Sequence, residues 1–425
     1  MPYIKSYFQK HKFIKNIATL MSGTVLAQLI TFLSMLLITN FYTASDFGVY
    51  ALFISVSSIF TVIATGRYEL AIILPKHHGT ALNILVLIAF ISLLFCSALF
   101  IFVFFSYSFI IKYFDFQLDY NVLKLLAVFV FFSSLSQAFY YFFNRFAEYK
   151  IMSLSRLIYS LTNALMMYFF GKYIIINNGL LISCVVTNIV IVAFYLFVFF
   201  KKYRNYFFNI KLSVIKKVAF RYKDFPKYGL FGASLQNIAI QFPIFLLSSF
   251  YSNLIVGFYS LCHRSITAPL QIITSAFGDV FRHEASIAFN KNGNCKKAFI
   301  NFAKKLICFG LILFMPLLIF GKEIYSYVFG NEWKTAGLYA QILAPMFIIR
   351  IVASPLSTVS VIAEKQSLDL VFQIIIIAVV AIFTLVSKYL FRDNYSVIVA
   401  FSIAYSIIYL ISLFLNYNWS KGKKI

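Results

Sequence analysis

Two guanidinium groups lie where hydrocarbon is expected. Arg264 falls within Cys262-His263-Arg264-Ser265-Ile266-Thr267-Ala268-Pro269 and Arg350 within Pro345-Met346-Phe347-Ile348-Ile349-Arg350, each deep inside an apolar stretch. Neither has an acidic residue three or four positions away, so neither can form an ion pair along its own helix. An ionisable group at membrane depth is costly and usually faces a bundle interior or water. A guanidinium stays charged and grips phosphate oxygens through two parallel hydrogen bonds. The chemistry such a pair can do is to capture an anion in a wet chamber. The alternative is a structural ion pair between helices.

Uncharged polar residues accompany them. Gln28, Thr31 and Ser34 in the first apolar stretch, Asn40 just beyond its end, and Gln236, Asn237 and Gln241 in the seventh, could contact a hydroxyl-rich sugar or bond helix to helix. Gln28, Asn237 and Gln241 are the candidates for sugar contact. Gly66-Arg67-Tyr68-Glu69-Leu70-Ala71-Ile72-Ile73-Leu74-Pro75 closes the second stretch. Arg67 and Glu69 are two apart and would not share a helical face, so each is expected to pair with another helix and to gate a cytoplasmic mouth; the alternative is an ordinary solvated loop pair. Asp279, Arg282, His283 and Glu284 gather at the corresponding edge of the second half. Arg282 can pair with Asp279 at a spacing of three, which is worth a few tenths of a kcal/mol. These two join Arg67 and Glu69 as gate candidates, and His283 reads as solvated.

The elements that must position these groups are membrane helices. Of 425 residues, 62% are hydrophobic and only 12% charged, about half the charge of a soluble domain. A spanning helix needs about 20 apolar residues. Twelve stretches qualify: 17–38, 47–65, 81–111, 122–143, 154–176, 180–200, 228–250, 254–277, 299–320, 336–362, 368–390 and 395–415. They are continuous, without the period of two that marks a barrel strand. The third is long for one crossing and would tilt or project.

The net charge of +24 is topological, so nucleic acid is excluded as a partner. Of 37 Lys and Arg, 28 fall on the N-terminus, the even-numbered connections and the C-terminus. Seven fall on the odd connections or at the stretch ends beside them: Lys112, Lys124, Lys172, Lys322, Lys334, Lys388 and Arg392. Basic residues collect on cytoplasmic loops, so both termini are expected in the cytoplasm. No cleavable signal peptide is expected, and the basic, aromatic start from Tyr3 to Lys10 is either an interfacial helix or a frayed tail. Five scattered cysteines form neither a disulfide framework nor a metal site.

A basic connection, 201–227, separates a first bundle (1–200) from a second (228–425). The halves align without a gap at an offset of 209, with ten identities between Leu20 and Thr65. Phe41-Tyr42 meets Phe250-Tyr251, and Gly48-Val49-Tyr50-Ala51-Leu52 meets Gly257-Phe258-Tyr259-Ser260-Leu261. Six spans per repeat is an even number, so both repeats enter from the same face. Parallel repeats of this kind hold substrate between the halves and expose it to one side at a time. Pro243, Pro269, Pro316, Pro345 and Pro355 all fall in spans of the second half, where each removes a backbone donor and kinks its helix. The tenth stretch carries two and should be the most broken. The expected fold is an all-α polytopic membrane protein, twelve transmembrane helices in two parallel-repeat six-helix bundles around a central cavity.

Enzyme chemistry is not expected. The chain has no Gly-x-x-x-x-Gly-Lys loop, no His-Glu-x-x-His and no Gly-x-Ser-x-Gly.

Gly23-Thr24-x-x-Ala27-Gln28, Phe47-Gly48-x-Tyr50 and above all Gly66-Arg67-Tyr68-Glu69-x-Ala71-Ile72-x-Leu74-Pro75 resemble the Wzx-type O-antigen and capsule flippases. These polysaccharide biosynthesis proteins belong to the multidrug/oligosaccharidyl-lipid/polysaccharide exporter superfamily. The resemblance implies transfer of an oligosaccharide on undecaprenyl pyrophosphate from the cytoplasmic to the outer leaflet of a bacterial inner membrane, by alternating access. Cavity cations would meet the pyrophosphate, with Arg264 and Arg350 as candidates by position and chemistry. It also implies membrane lipids, a polysaccharide polymerase and a chain-length regulator as partners, and no cofactor or metal. A proton or sodium gradient or the membrane potential would supply the energy. The alternatives are a cation-coupled multidrug exporter, which would want cavity acids, a flippase for the peptidoglycan lipid precursor, and a non-transporting scaffold or sugar polymerase.

Overall fold

The computed structural model describes residues 2–114, 120–174, 178–363, 365, 368–391 and 393–422. Arg392, counted above, lies outside the described residues, as do the side chains of Lys112 and of the basic start from Tyr3 to Lys15. The described chain is all-helical. The helices are α1 (Pro2–Ile38), α2 (Ala44–Thr65), α3 (His78–Phe114), α4 (Tyr120–Arg145), α5 (Tyr149–Phe169), α6 (Gly179–Tyr203), α7 (Leu212–Arg221), α8 (Leu230–Phe250), α9 (Asn253–Asn292), α10 (Lys296–Phe329), α11 (Lys334–Leu356), α12 (Val359–Ile362), α13 (Leu368–Phe391) and α14 (Asn394–Ser420).

The described part of each expected apolar stretch falls on a helix. Among the described residues ten helices are long and apolar enough to cross a membrane, where the sequence reading has twelve. The stretches on α5 and α9 fall short because polar residues interrupt them: Arg156 and Asn163 in α5, and His263, Arg264 and Gln271 in α9. In hydrocarbon, a helix satisfies its own backbone groups, which is why apolar runs of this length take that form. The third stretch becomes the 37-residue α3, about 55 Å at 1.5 Å per residue and much longer than a bilayer core. The tenth is divided. α11 stops one residue after Pro355, and the chain resumes as α12. α10 also breaks, at Phe320 (φ −115°, ψ 21°), one turn beyond Pro316.

Two compact units emerge, Met1–Tyr42 with Val49–Ile238, and Thr43–Gly48 with Ala239–Ile425. The basic connection is ordered, contains α7, and belongs to the first unit.

The first unit is held by aromatic packing. Phe139, Phe142 and Phe143 of α4 are buried against Tyr195, Phe199 and Tyr203 of α6. Ring centroids stand 5.7 Å apart for Phe142–Phe199 and 5.3 Å for Phe143–Tyr195, and each such pair adds about 0.5–1.5 kcal/mol beyond burial. Gly23 lets α1 close on α5, since a Cβ there would lie 1.8 Å from the Ser153 Oγ.

In the second unit α10 and α11 approach at Gly321 and Gly337. A Cβ on Gly337 would lie 2.4 Å from the Gly321 carbonyl oxygen, and one on Gly321 would lie 2.8 Å from that of Gly337. Such small-residue contacts let membrane helices approach closely where no hydrophobic effect drives them together. Trp333, Tyr339, Phe347 and Phe401 fill the core. The five cysteines are free: Cys96, Cys184, Cys262 and Cys295 are buried and Cys308 is exposed.

Candidate functional site

The first unit carries an open cavity of about 480 Å³ between α1, α4, α5 and α6. Its wall is rich in hydroxyls and amides, among them Thr31, Ser133, Ser136, Gln137 and Asn188. One cation enters it, Arg156 of α5. Arg156 donates to the Thr24 hydroxyl of α1 through Nη1 and to the Tyr140 hydroxyl of α4 through Nη2. Its partners are neutral, and among the described residues no Asp or Glu lines the cavity. Beside it, Tyr195 donates to the Ser155 hydroxyl at 2.7 Å. Gln28, expected as a sugar contact, lines the same wall, and its Oε1 is buried without a hydrogen-bond partner. Burying an acceptor in that state costs about 1–3 kcal/mol, a cost that a donor carried in by a ligand would remove.

Arg156 is the residue that sequence reasoning missed. It stands two positions inside the fifth apolar stretch and was counted with the basic residues of the connection before it. The available signal was its flanks, Leu154 and Leu157, and the Ser155 and Ser160 beside it.

The second unit holds a smaller cavity of about 200 Å³, lined by His263 of α9, Arg350 of α11, Gln373 of α13, and Tyr405 and Tyr409 of α14. Arg350 thus reaches a cavity within the second unit, and its guanidinium carbon sits 5.8 Å from the centroid of the Phe347 ring. Among the described residues no acid lines this space either. Arg264 differs. It is half-buried on α9 but lines neither cavity, whereas its neighbour His263 does. One residue along a helix is a 100° turn, enough to aim the two side chains apart. Asn237 is taken up by its own helix, donating from Nδ2 to the Ala233 carbonyl at 3.0 Å. Neither Asn237 nor Gln241 lines a cavity described here.

The Gly66–Pro75 segment corrects the sequence expectation. Arg67 and Glu69 were expected to diverge and pair elsewhere. Instead they pair with each other, Arg67 Nη1 to Glu69 Oε1 at 3.3 Å. The reason is backbone geometry: Gly66 (φ 58°) and Arg67 (φ 60°) are both left-handed, so α2 ends abruptly and Tyr68–Ile73 forms a 3₁₀ turn. A non-glycine residue held there costs on the order of 1–3 kcal/mol. Glu69 is fully buried, and burial holds its carboxyl above the ordinary range, with the Thr65 hydroxyl and Arg67 pulling the other way.

Arg145, at the end of α4, pins the turn. It donates from Nη1 to the Ile72 and Ile73 carbonyls at 3.1 and 2.7 Å and from Nη2 to that of Pro75. Tyr68 donates to the Ala219 carbonyl of α7 at 3.0 Å. Asn83 of α3 ties down the basic connection, donating to the Asn209 carbonyl and accepting from the Lys211 N–H, both at 3.0 Å.

Asp279 and Arg282 do not form the expected pair. Both are exposed on α9, as are His283 and Glu284. Among the described residues the ion pairs are Arg67–Glu69 and Lys202–Glu148.

The chain matches a family described as polysaccharide biosynthesis protein over residues 37–338. It is 26% identical over 159 residues to the teichuronic acid biosynthesis protein TuaB of Bacillus subtilis (strain 168). That match takes in 35% of this chain and 31% of the relative, so it spans about a third of TuaB. Among solved structures, the lipid II flippase MurJ in an inward closed conformation superposes with a TM-score of 0.73 at 13% identity, covering 93% of this chain and 86% of that one. An inward-facing multidrug resistance MATE family transporter of the MOP superfamily gives 0.65 at 13% identity, covering 92% and 93%. At such identities the likeness is one of fold.

Proposed function

Since the chain belongs to the polysaccharide biosynthesis protein family, we propose that this multi-pass membrane protein is a flippase for a lipid-linked, pyrophosphate-bearing oligosaccharide. It carries the repeat unit from the cytoplasmic to the outer leaflet of the bacterial inner membrane, for O-antigen, capsule or a related surface polysaccharide. The reading includes alternating access by two parallel repeats of six spans, with both termini cytoplasmic. It also includes an Arg67–Glu69 turn that gates the cytoplasmic side.

The observation that carries it is a pair of cavities that, among the described residues, have one guanidinium each and no acid in their walls. A sugar pyrophosphate cannot cross hydrocarbon unaided, because stripping water from its charges costs many kcal/mol. Arg156 is held by two neutral hydroxyls, which leaves its charge uncompensated and suited to an anion. The surrounding hydroxyls and the unpaired Gln28 oxygen suit a polyhydroxylated head, while a polyprenyl tail remains in lipid. A carrier of cationic drugs would want carboxylates lining these spaces.

In cells lacking the protein, the lipid-linked repeat should accumulate on the cytoplasmic leaflet. Wild-type protein should clear it, and Arg350→Ala, correctly inserted, should not. Clearance by Arg350→Ala at the wild-type rate would count against the role given to Arg350. No accumulation in the deletion strain would overturn the reading itself.

A further inference from the structure

The ordered connection between α6 and α8 presents a surface that the transport reading does not use. Residues 201–228 carry nine Lys or Arg and a single acid, Asp224. α7 divides cleanly. Val214, Ile215, Val218 and Ala219 pack into the first unit's core with Tyr68 and Ile72. The opposite arc carries Leu212, Lys216 and Phe220 at spacings of four, flanked by Ser213 and Lys217, all exposed. Leu212 is 69% exposed and Phe220 73%, and Phe208, just before the helix, is 84% exposed. Lys223 Nζ lies 4.4 Å from the Phe220 ring centroid, so charge and apolar surface sit side by side.

We propose that the outward face of α7, with Phe208, is a docking surface for anionic phospholipid. Phe208, Leu212 and Phe220 enter the headgroup layer, and Lys216, Lys217, Arg221 and Lys223 meet phosphate oxygens. Three observations select this occupant. The charge is almost wholly of one sign, which suits an anionic sheet. Bulky apolar side chains stand among the cations, as they do where a helix lies in a bilayer interface. α7 lies between two candidate spans, Gly179–Asn209 and Phe225–Phe250, so the chain on either side holds it close to the membrane. The buried side of α7 accepts the Tyr68 hydrogen bond at Ala219, so docking would brace the turn that carries Arg67 and Glu69.

The test uses the full chain in vesicles of phosphatidylcholine alone or mixed with phosphatidylglycerol. A Phe220→Cys variant carries an environment-sensitive fluorophore, and lipids spin-labelled near the headgroup act as quenchers. Quenching should rise roughly threefold when phosphatidylglycerol is present and fall in high salt. The combined change of Lys216, Lys217, Arg221 and Lys223 to Gln should remove that dependence. Native mass spectrometry should also show fewer phosphatidylglycerol molecules retained by the charge variant than by wild type. A fluorophore that stays in water in both vesicle types, or equal lipid retention by the two proteins, would overturn the proposal.

Discussion

Gly48 stands to Asn253 as Gly257 stands to Ala44. A Cβ on Gly48 would lie 1.9 Å from the Asn253 carbonyl oxygen, and a Cβ on Gly257 would lie 1.6 Å from that of Ala44. Both pairs keep the offset of 209, so the beginnings of α2 and α9 touch through equivalent atoms. This reciprocity within the second unit supports the duplication read from Gly-x-Tyr-x-Leu. Either glycine changed to Ala should lower stability by about 1–3 kcal/mol, because backbone cannot swing aside as a flexible side chain can. Gly232→Ala is the control, since nothing lies within 4 Å of its added Cβ, and it should be neutral or slightly stabilising. Thermal unfolding of the purified variants in detergent checks this, and an unchanged midpoint for Gly48→Ala would refute it.

Arg145 holds three carbonyls of the turn after α2. Each hydrogen bond from a charged donor is worth about 1.5–3 kcal/mol, though the three will not add. Arg145→Gln should speed amide hydrogen exchange from Tyr68 to Leu74 and leave the other helices as protected as in wild type. Arg145→Lys should restore only part of the protection, because a single ammonium cannot reproduce the planar fork.

Glu69 gives the turn a pH dependence of known sign. Its carboxyl is held above the ordinary range by burial. Between the ordinary and the raised value the folded protein keeps a proton that the unfolded chain has lost. Stability contributed by Glu69 is therefore fully present below the ordinary carboxylate range and declines as pH rises through the raised value. Glu69→Gln should flatten that part of the profile of melting temperature against pH. A decline of the same size in the variant would assign the effect to other groups.

Apolar stretches of about twenty residues announced the helices, because in lipid a helix is nearly the only solution for such a run. The turn at Gly66–Pro75 was recognisable as a motif but not as a shape. Its geometry rests on left-handed Arg67, a conformation that residue type does not reveal. Arg350 was found because its stretch is unbroken on both sides. Arg156 was hidden by lying near the start of its stretch, where a tally of loop charges absorbs it. Gln28 and Asn237 align in sequence, yet one faces a cavity and the other bonds its own helix. Gly23 and Gly232 diverge in the same way, the first pressed on Ser153 and the second open. The alignment at an offset of 209 carries over the backbone position, but the local neighbours decide what each side chain meets.

The central claim is that guanidiniums in cavities whose described walls carry no acid conduct an anionic, sugar-bearing head across the bilayer. The direct measurement is leaflet exchange of a fluorescent oligosaccharide on undecaprenyl pyrophosphate, in vesicles containing only this protein. Wild-type protein should exchange the label. Arg156→Ala and Arg350→Ala should each slow exchange roughly thirtyfold or more, since losing one partner of a desolvated charge contact costs about 2–5 kcal/mol. Exchange at the wild-type rate in both variants, with each shown to be inserted and folded, would contradict the account.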